Sequence, residues 1–236
     1  MCDKRAAARE ERGALSSPVR IQTSITSRAE QALIAWLCPR LPHWWTPDRL
    51  TALGMLGSFM VALGFVLSHW GRDWLFLAML GFVVNWFGDS LDGSIARHRK
   101  IERPDYGYFI DHSLDALSQA MLVLGMGLSP YLRMDTALFG LVGYLLLSVH
   151  TFISARVLGV FRLTYLGSGP TEMRMMLIVL CVAMYVVGPQ GPVGQPFAEL
   201  PFTWFDGYVV VLGTAMCLIF LWQTAITGRQ LFQRGK

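Results

Sequence analysis

Six continuous apolar runs constrain this chain more than any other feature. They cover roughly Leu50–Ser68, Trp74–Gly93, Tyr108–Leu128, Thr136–Leu158, Met173–Gly188 and Gly207–Gly228. Each is near the ~20 residues that an α-helix needs to cross a bilayer. Hydrocarbon offers no hydrogen bonds to the backbone, so an unbroken run of this length satisfies its own N–H and C=O groups as a helix. The runs do not alternate apolar with polar residues, which argues against a transmembrane β-barrel. With 53% hydrophobic and only 15% charged residues, the chain does not read as a soluble domain. The expected fold class is all-α: a polytopic membrane protein with six transmembrane helices.

The opening stretch "MCDKRAAAREERGALSSPVR" is polar and lacks the apolar core of a secretory signal peptide. The first spanning helix is therefore expected to target the protein. In "RAEQALIAWLCPRLPHWW" the residues Ala32, Leu33, Ala35, Trp36 and Leu37 fall on one face of a short helix, and Trp44 and Trp45 suit the headgroup zone. An N-terminal amphipathic helix lying on the membrane surface is expected there. Lys and Arg fix the orientation. The N-terminal segment, the second-to-third and fourth-to-fifth connections and the tail carry eighteen, against two (Arg72, Arg133) on the opposite side. The positive-inside rule then places both termini and the second-to-third loop in the cytoplasm. This topology accounts for the net charge of +4, so no nucleic-acid partner is called for. Cys2, Cys38, Cys181 and Cys217 show no paired spacing, and neither a disulfide nor zinc is expected. The Pro- and Gly-rich Gly188–Pro201 reads as an external connector.

Against this background the stretch "GDSLDGSIARHRKIERPDYGYFIDHSLD" (Gly88–Asp115) is anomalous, because it sets four aspartates at the ends of two membrane-grade helices. An ionised Asp at the bilayer centre costs about 2.5–3.5 kcal/mol even on a lenient scale. Asp89, Asp92, Gly93, Ala96 and Arg97 follow i, i+3, i+4, i+7, i+8 and share one helical stripe, and Gly107, Asp111 and Asp115 follow i, i+4, i+8 on the next helix. The connecting loop is short, so the two helices are expected to be antiparallel neighbours with these stripes facing each other. Converging carboxylates repel unless neutralised. An oxygen-only donor set without His or Cys suits Mg²⁺ or Mn²⁺, and two such ions balance four negative charges and can bridge a phosphorylated substrate. Gly93 and Ala96 allow close approach of a ligand to the backbone, and Arg97 offers a planar fork of donors to phosphate oxygens. A divalent-cation channel or transporter built on the same carboxylates is disfavoured, since a fixed positive charge at Arg97 opposes cation passage.

The arrangement Asp-x2-Asp-Gly-x2-Ala-Arg-x9-Gly-x3-Asp-x3-Asp, from Asp89 to Asp115, resembles the signature of the CDP-alcohol phosphotransferases. The resemblance implies an enzyme of phospholipid biosynthesis in which an acceptor hydroxyl attacks the phosphorus distal to cytidine and CMP leaves. It implies that Asp89, Asp92, Asp111 and Asp115 hold two metal ions, that Gly93, Ala96, Arg97 and Gly107 line the CDP site, and that the protein is a homodimer. "TPDRLT" (Thr46–Thr51) resembles the Pro-Asn-x-x-Thr start of that family's first span, with Asp48 in the place of Asn, which adds Asp48 to the CDP site.

Two further stretches, "YFIDHSLDALS" and "YLGSGPTEMR", resemble elements of the choline and ethanolamine phosphotransferases, although Ser113 and Met173 stand where that branch has Gly. This branch moves a phospho-amino-alcohol from its CDP ester to diacylglycerol. The alternative branch uses CDP-diacylglycerol as donor and a water-soluble alcohol as acceptor. Arg156 and Arg162 either bind a phosphorylated acceptor or mark the cytoplasmic face, and Glu172 is either a headgroup contact or a helix-start charge. His112 is either the general base or a partner that orients Asp111, with Asp115 as the rival base; an imidazole pKa near ~6.5 favours His112. His150 reads as a packed polar group. The organisation expected is a cytoplasmic segment with the interfacial helix over 1–45 and a six-helix transmembrane catalytic domain over 46–236, in a bacterial inner (plasma) membrane.

Overall fold

The computed structural model describes residues 19–21, 27–158, 160–162, 170–189 and 201–234. The polar start and nearly all of the Gly188–Pro201 connector lie outside the described residues. Six long helices occupy the six apolar runs: α2 (Pro47–Leu67), α3 (Leu75–Arg99), α4 (Pro104–Gly127), α5 (Met134–Leu158), α6 (Pro170–Val187) and α7 (Trp204–Arg234). A shorter helix, α1 (Ser27–Leu37), precedes them, and two three-residue strands, β1 (Val19–Ile21) and β2 (Val160–Arg162), pair in parallel.

Four segments are long and apolar enough to cross a membrane: Pro47–Leu67, Arg72–Arg99, Met134–Ala155 and Trp204–Gln233. The other two, α4 and α6, carry the charges of Asp105, Asp111 and Asp115 and of Glu172 and Arg174.

Local chemistry sets the helix ends. Thr46 caps α2 by accepting the Arg49 N–H at 3.3 Å, Pro47 takes the first helical position, and Asp48 sits in the positive first turn. Pro104 and Asp105 open α4 in the same way. At the opposite end of the molecule, Thr203 and Asp206 cap α7 reciprocally. Asp206 is fully buried and accepts from the backbone N–H groups of Arg133 (3.0 Å) and Thr203 (2.8 Å) and from the Thr203 hydroxyl (2.8 Å). Asp206→Ala removes the acceptor of the buried Thr203 N–H, at about 1–3 kcal/mol for a buried donor left unsatisfied, and of the half-buried Arg133 N–H, while the Thr203 hydroxyl keeps the Tyr131 carbonyl at 3.3 Å. Unfolding in detergent should therefore show a substantially less stable protein, with the helix content of the folded state unchanged.

The most extensive packing is α2 against α3, and glycines make it possible. A Cβ on Gly57 would lie 2.3 Å from the Asn85 nitrogen, and one on Gly88 would lie 2.4 Å from both the Gly54 nitrogen and the Leu50 oxygen. Without lipid-phase hydrophobic drive between helices, such close backbone approach is what holds a membrane helix pair together. Helix α4 also packs on α2, where a Cβ at Gly125 would meet the Ala62 Cα at 2.6 Å. Helices α5 and α7 form a second pair, with Gly143 and Gly213 at their contact.

Helix α2 is thus the common neighbour of α3 and α4. The expected facing of the two aspartate stripes holds, but α3 and α4 do not pack directly on each other, because among the described residues they share no extensive face. Small residues draw both onto α2 and leave a cleft between them. The main core, around Phe65, Leu75, Phe82, Met126, Tyr131 and Met184, lies towards the end that holds Asp206. A second cluster of Cys38, Leu50, Leu91 and Ile95 seats α1 through Ile34 and Leu37. Leu37 therefore faces protein rather than sharing the outer face with Leu33 and Trp36, which are exposed. Arg99 closes the α1–α2 connection by donating to the carbonyls of Leu41 (3.0 Å), Pro42 (3.0 Å) and Trp45 (2.6 Å).

Candidate active site

The cleft between α3 and α4 is floored by α2. Thr51, Gly54 and Met55 line it from α2; Asn85, Asp89 and Asp92 from α3; Asp111, Leu114, Asp115 and Ser118 from α4. All four aspartates of the motif thus open into one pocket. Three of them, Asp89, Asp111 and Asp115, each offer a carboxylate oxygen within 4.8 Å of the others. Asp92 is held slightly apart. Its Oδ2 accepts the Thr51 hydroxyl at 2.7 Å, and its Oδ1 accepts the N–H of Gly93.

The donor set is oxygen only, as hard divalent cations require. The pocket already draws in a cation: the Arg174 guanidinium on α6 forms an ion pair with Asp89. The same side chain donates through Nε to Asn85 Oδ1 at 2.8 Å. Asn85 spends its own amide on the Gly54 carbonyl (3.1 Å) and the Ser58 hydroxyl (3.0 Å). Sequence reasoning found neither Arg174 nor Asn85. The two are 89 positions apart, and no spacing rule links an Asn inside one helix to an Arg at the start of another.

The remaining motif residues flank the pocket. Gly93 lies under Arg97, since a Cβ there would meet the guanidinium at 3.3 Å. Arg97 is exposed and donates to the Ser94 hydroxyl at 3.1 Å. Gly107 faces open space, with nothing within 4 Å of a Cβ position. Ala96 is half-buried on the same helix as Arg97. Asp48 stands apart from the pocket lining and pairs with Arg103 at 2.7 Å; this hydrogen bond holds the Arg103 guanidinium above its usual pKa.

His112 is not part of the pocket lining. Its Nδ1 donates to the Tyr108 carbonyl at 2.8 Å, its ring stacks on Tyr108 at 4.1 Å, and it meets the edge of Phe152 at 4.9 Å. The bond to the carbonyl requires a proton on Nδ1. Its Nδ1 is 3.7 Å from Asp111 Oδ2, beyond a hydrogen bond. Glu172 lies in the first turn of α6, Arg156 near the end of α5 and Arg162 in β2. His150 is packed on α5, with Ser154 at 3.4 Å and the Phe220 ring at 6.2 Å.

Helix α1 reaches this region too. One Glu30 oxygen accepts from Trp86 Nε1 (3.0 Å), the Ser90 hydroxyl (3.1 Å) and the Thr171 hydroxyl (2.8 Å). Glu30 thereby ties α1 to the two helices that carry Asp89 and Arg174.

A model of the CDP-alcohol phosphatidyltransferase family matches residues 44–222, which is most of the chain and includes every lining residue of the pocket. The chain belongs to this family. Its members are transferases of phosphate-containing groups, and with four helices able to span a bilayer the protein is an integral membrane protein.

A stretch of 104 residues is 32% identical to archaetidylinositol phosphate synthase of Pyrococcus horikoshii, covering 44% of this chain and 52% of that protein. Another of 96 residues is 32% identical to cholinephosphotransferase 1 of Gallus gallus, covering 38% of this chain and 28% of that one. A third of 84 residues is 37% identical to the inner membrane protein YnjF of Escherichia coli, covering 34% and 35%. The similarity spans about half or less of the length of these curated relatives.

Proposed function

We propose that the protein is an integral-membrane phosphotransferase of phospholipid biosynthesis. It moves a phospho-alcohol from a CDP-alcohol, of the CDP-choline or CDP-ethanolamine type, to a lipid hydroxyl such as that of diacylglycerol, releasing CMP. The observation that carries this reading is the convergence of Asp89, Asp111 and Asp115 within 4.8 Å, with Asp92 on the same pocket, at the heart of the region the family model matches.

In this reading Asp89, Asp92, Asp111 and Asp115 hold two Mg²⁺ or Mn²⁺ ions. Bound there, the ions supply charge neutralisation for the diphosphate and for the leaving CMP. Gly93, Ala96, Arg97 and Gly107 receive the CDP moiety, with Asp48 at its edge. The exposed fork of Arg97 and the open backbone at Gly107 suit a charged ligand entering from solvent. The acceptor oxygen forms a bond to the phosphorus that bears the alcohol, the bond from that phosphorus to the CMP oxygen breaks, and the hydroxyl proton passes to a base.

We assign the base to Asp115, which lines the pocket, rather than to His112, whose ring is packed between Tyr108 and Phe152. His112→Ala is then expected to lose less than the ~100-fold that marks loss of a general base, while Asp115→Asn loses nearly all turnover. A larger loss in His112→Ala, with Mn²⁺ binding intact, returns the role to His112. Glu172, Arg156 and Arg162 are the candidates for the headgroup or acceptor end.

All six long helices span the membrane in this reading. Helix α1 lies at the interface with Leu33 and Trp36 towards lipid, and the pocket opens to the cytoplasm of a bacterial inner membrane. The protein acts as a homodimer.

A second reading has CDP-diacylglycerol as donor and a water-soluble alcohol as acceptor. The similarity to archaetidylinositol phosphate synthase favours it, as that to cholinephosphotransferase favours the first. One experiment separates them: purified protein is incubated with Mn²⁺ and a panel of CDP-alcohols or CDP-diacylglycerol, and the lipid product is weighed by mass spectrometry. CMP release only with CDP-choline or CDP-ethanolamine plus diacylglycerol supports the first. CMP release only with CDP-diacylglycerol supports the second, and no CMP release from any donor overturns both.

A further inference from the structure

The Arg174–Asn85 relay is not accounted for by the motif, and its geometry is that of a fixed support rather than a loose ion pair. Arg174 is only 15% exposed at its side chain and Asp89 25%. The guanidinium is held at two points, by Asp89 through Nη2 and by Asn85 through Nε at 2.8 Å. Asn85 cannot yield, because both of its amide hydrogens are spent on α2, at Gly54 and Ser58. The relay therefore runs from Gly54 and Ser58 of α2 through Asn85 of α3 and Arg174 of α6 to one carboxylate oxygen of Asp89, leaving the other for a ligand. Asp92 is also supported from α2, by the Thr51 hydroxyl on its Oδ2, while its Oδ1 accepts the Gly93 N–H. Carboxylates that bind metals are commonly oriented by such outer hydrogen bonds, and losing one typically costs ~10–100-fold in metal affinity.

We propose that Arg174 is a positioning residue for divalent-ion binding: held by Asn85, it fixes the orientation of Asp89, and its guanidinium fork rather than its charge is what the site needs. The inference rests on the metal-site reading of the four aspartates. A lysine keeps the positive charge but lacks the two fixed donors, Nε and Nη2, that Arg174 sets on Asn85 and Asp89. An interchangeable counter-ion, by contrast, repels divalent ions, so its removal would strengthen their binding.

The test is Mn²⁺ binding to the purified, chelator-stripped protein in detergent without substrate, read by calorimetry and by the Mn²⁺ electron-spin signal. Arg174→Gln and Arg174→Lys should both weaken binding by ~10–100-fold, and Asn85→Ser should weaken it in the same direction. Equal or tighter Mn²⁺ binding in Arg174→Gln, or wild-type affinity in Arg174→Lys, overturns the positioning role. Thermal midpoints of the stripped variants identify any that fail to fold; Arg174→Lys, which keeps the charge beside Asp89, then carries the test. Asp111→Asn is run alongside. If wild-type protein binds no Mn²⁺, or Asp111→Asn binds it like wild type, the metal reading itself falls and the inference with it. If Asp111→Asn abolishes binding while Arg174→Gln does not weaken it, only the inference falls.

Discussion

Asp89→Asn and Asp111→Asn should each lose turnover by more than the ~100-fold upper range for outer-sphere partners, because each removes an oxygen donor from the centre of the cluster. Their stabilities should differ. With chelator present, three carboxylates within 4.8 Å of one another repel, and Asp111→Asn relieves part of that repulsion. Asp89→Asn relieves it too, but it strips Arg174 of its carboxylate partner, and a hydrogen bond to a charged group is worth about 1.5–3 kcal/mol. In chelator, Asp111→Asn is therefore expected to melt above Asp89→Asn. Differential scanning fluorimetry in excess EDTA checks the order; the reverse order would mean that Arg174 contributes nothing to holding Asp89. Added Mn²⁺ should raise the melting temperature of the wild type well beyond that of either variant, since an ion that binds only the folded state stabilises it by mass action.

The second large effect lies away from the carboxylates. Gly57→Ala and Gly88→Ala each place a methyl group against backbone atoms, at 2.3 Å from the Asn85 nitrogen and 2.4 Å from the Gly54 nitrogen respectively. No rotamer relieves such a contact, so α2 and α3 must separate. Overpacking of this kind costs about 1–3 kcal/mol and occasionally more. The damage should also reach the site, because Asn85 and Gly54 belong to both the seam and the pocket. Gly228→Ala is the matched control: nothing lies within 4 Å of its added carbon, and a helical Gly→Ala exchange gains up to about 1 kcal/mol. Thermal unfolding and CMP release should fall together in the two seam variants and stay at or above wild type in the control. Wild-type stability in Gly88→Ala would contradict the close α2–α3 approach.

The helices were legible because unbroken apolar length is a strong signal; most bounds fall within four residues of the runs Leu50–Ser68 to Gly207–Gly228, and the C-terminal ends of α3 and α7 run six residues further, to Arg99 and Arg234. The convergence of Asp89, Asp111 and Asp115 was legible because i, i+3 and i, i+4 spacings put carboxylates on single stripes. What could not be read was which helix supports both stripe-bearing helices and floors the cleft between them. That depends on glycines meeting across the α2–α3 seam, and the seven-residue spacing of Gly57 and Gly64 on one helix and of Gly81 and Gly88 on the other marks a packing face without naming its partner. The supports of the site were equally hidden. Arg174 reaches Asp89 over 85 positions and Glu30 reaches Thr171 over 141, separations that no local pattern spans. The face of Leu37 was misread because α1 has apolar residues on two sides, one of them turned to Leu50, Leu91 and Ile95.

The glycine seam also bears on when the site is built. Helices α2 and α3 are joined by only a short turn through residues 68–74, so their contacts are local in sequence and close early. As the first two long apolar helices of the chain, they can pair before α4 and α6 follow. The half-site of Thr51, Asn85, Asp89 and Asp92 is then preformed on this hairpin. Asp111 and Asp115 arrive with α4 and Arg174 with α6, so the like charges are brought together last, onto a frame that is already rigid.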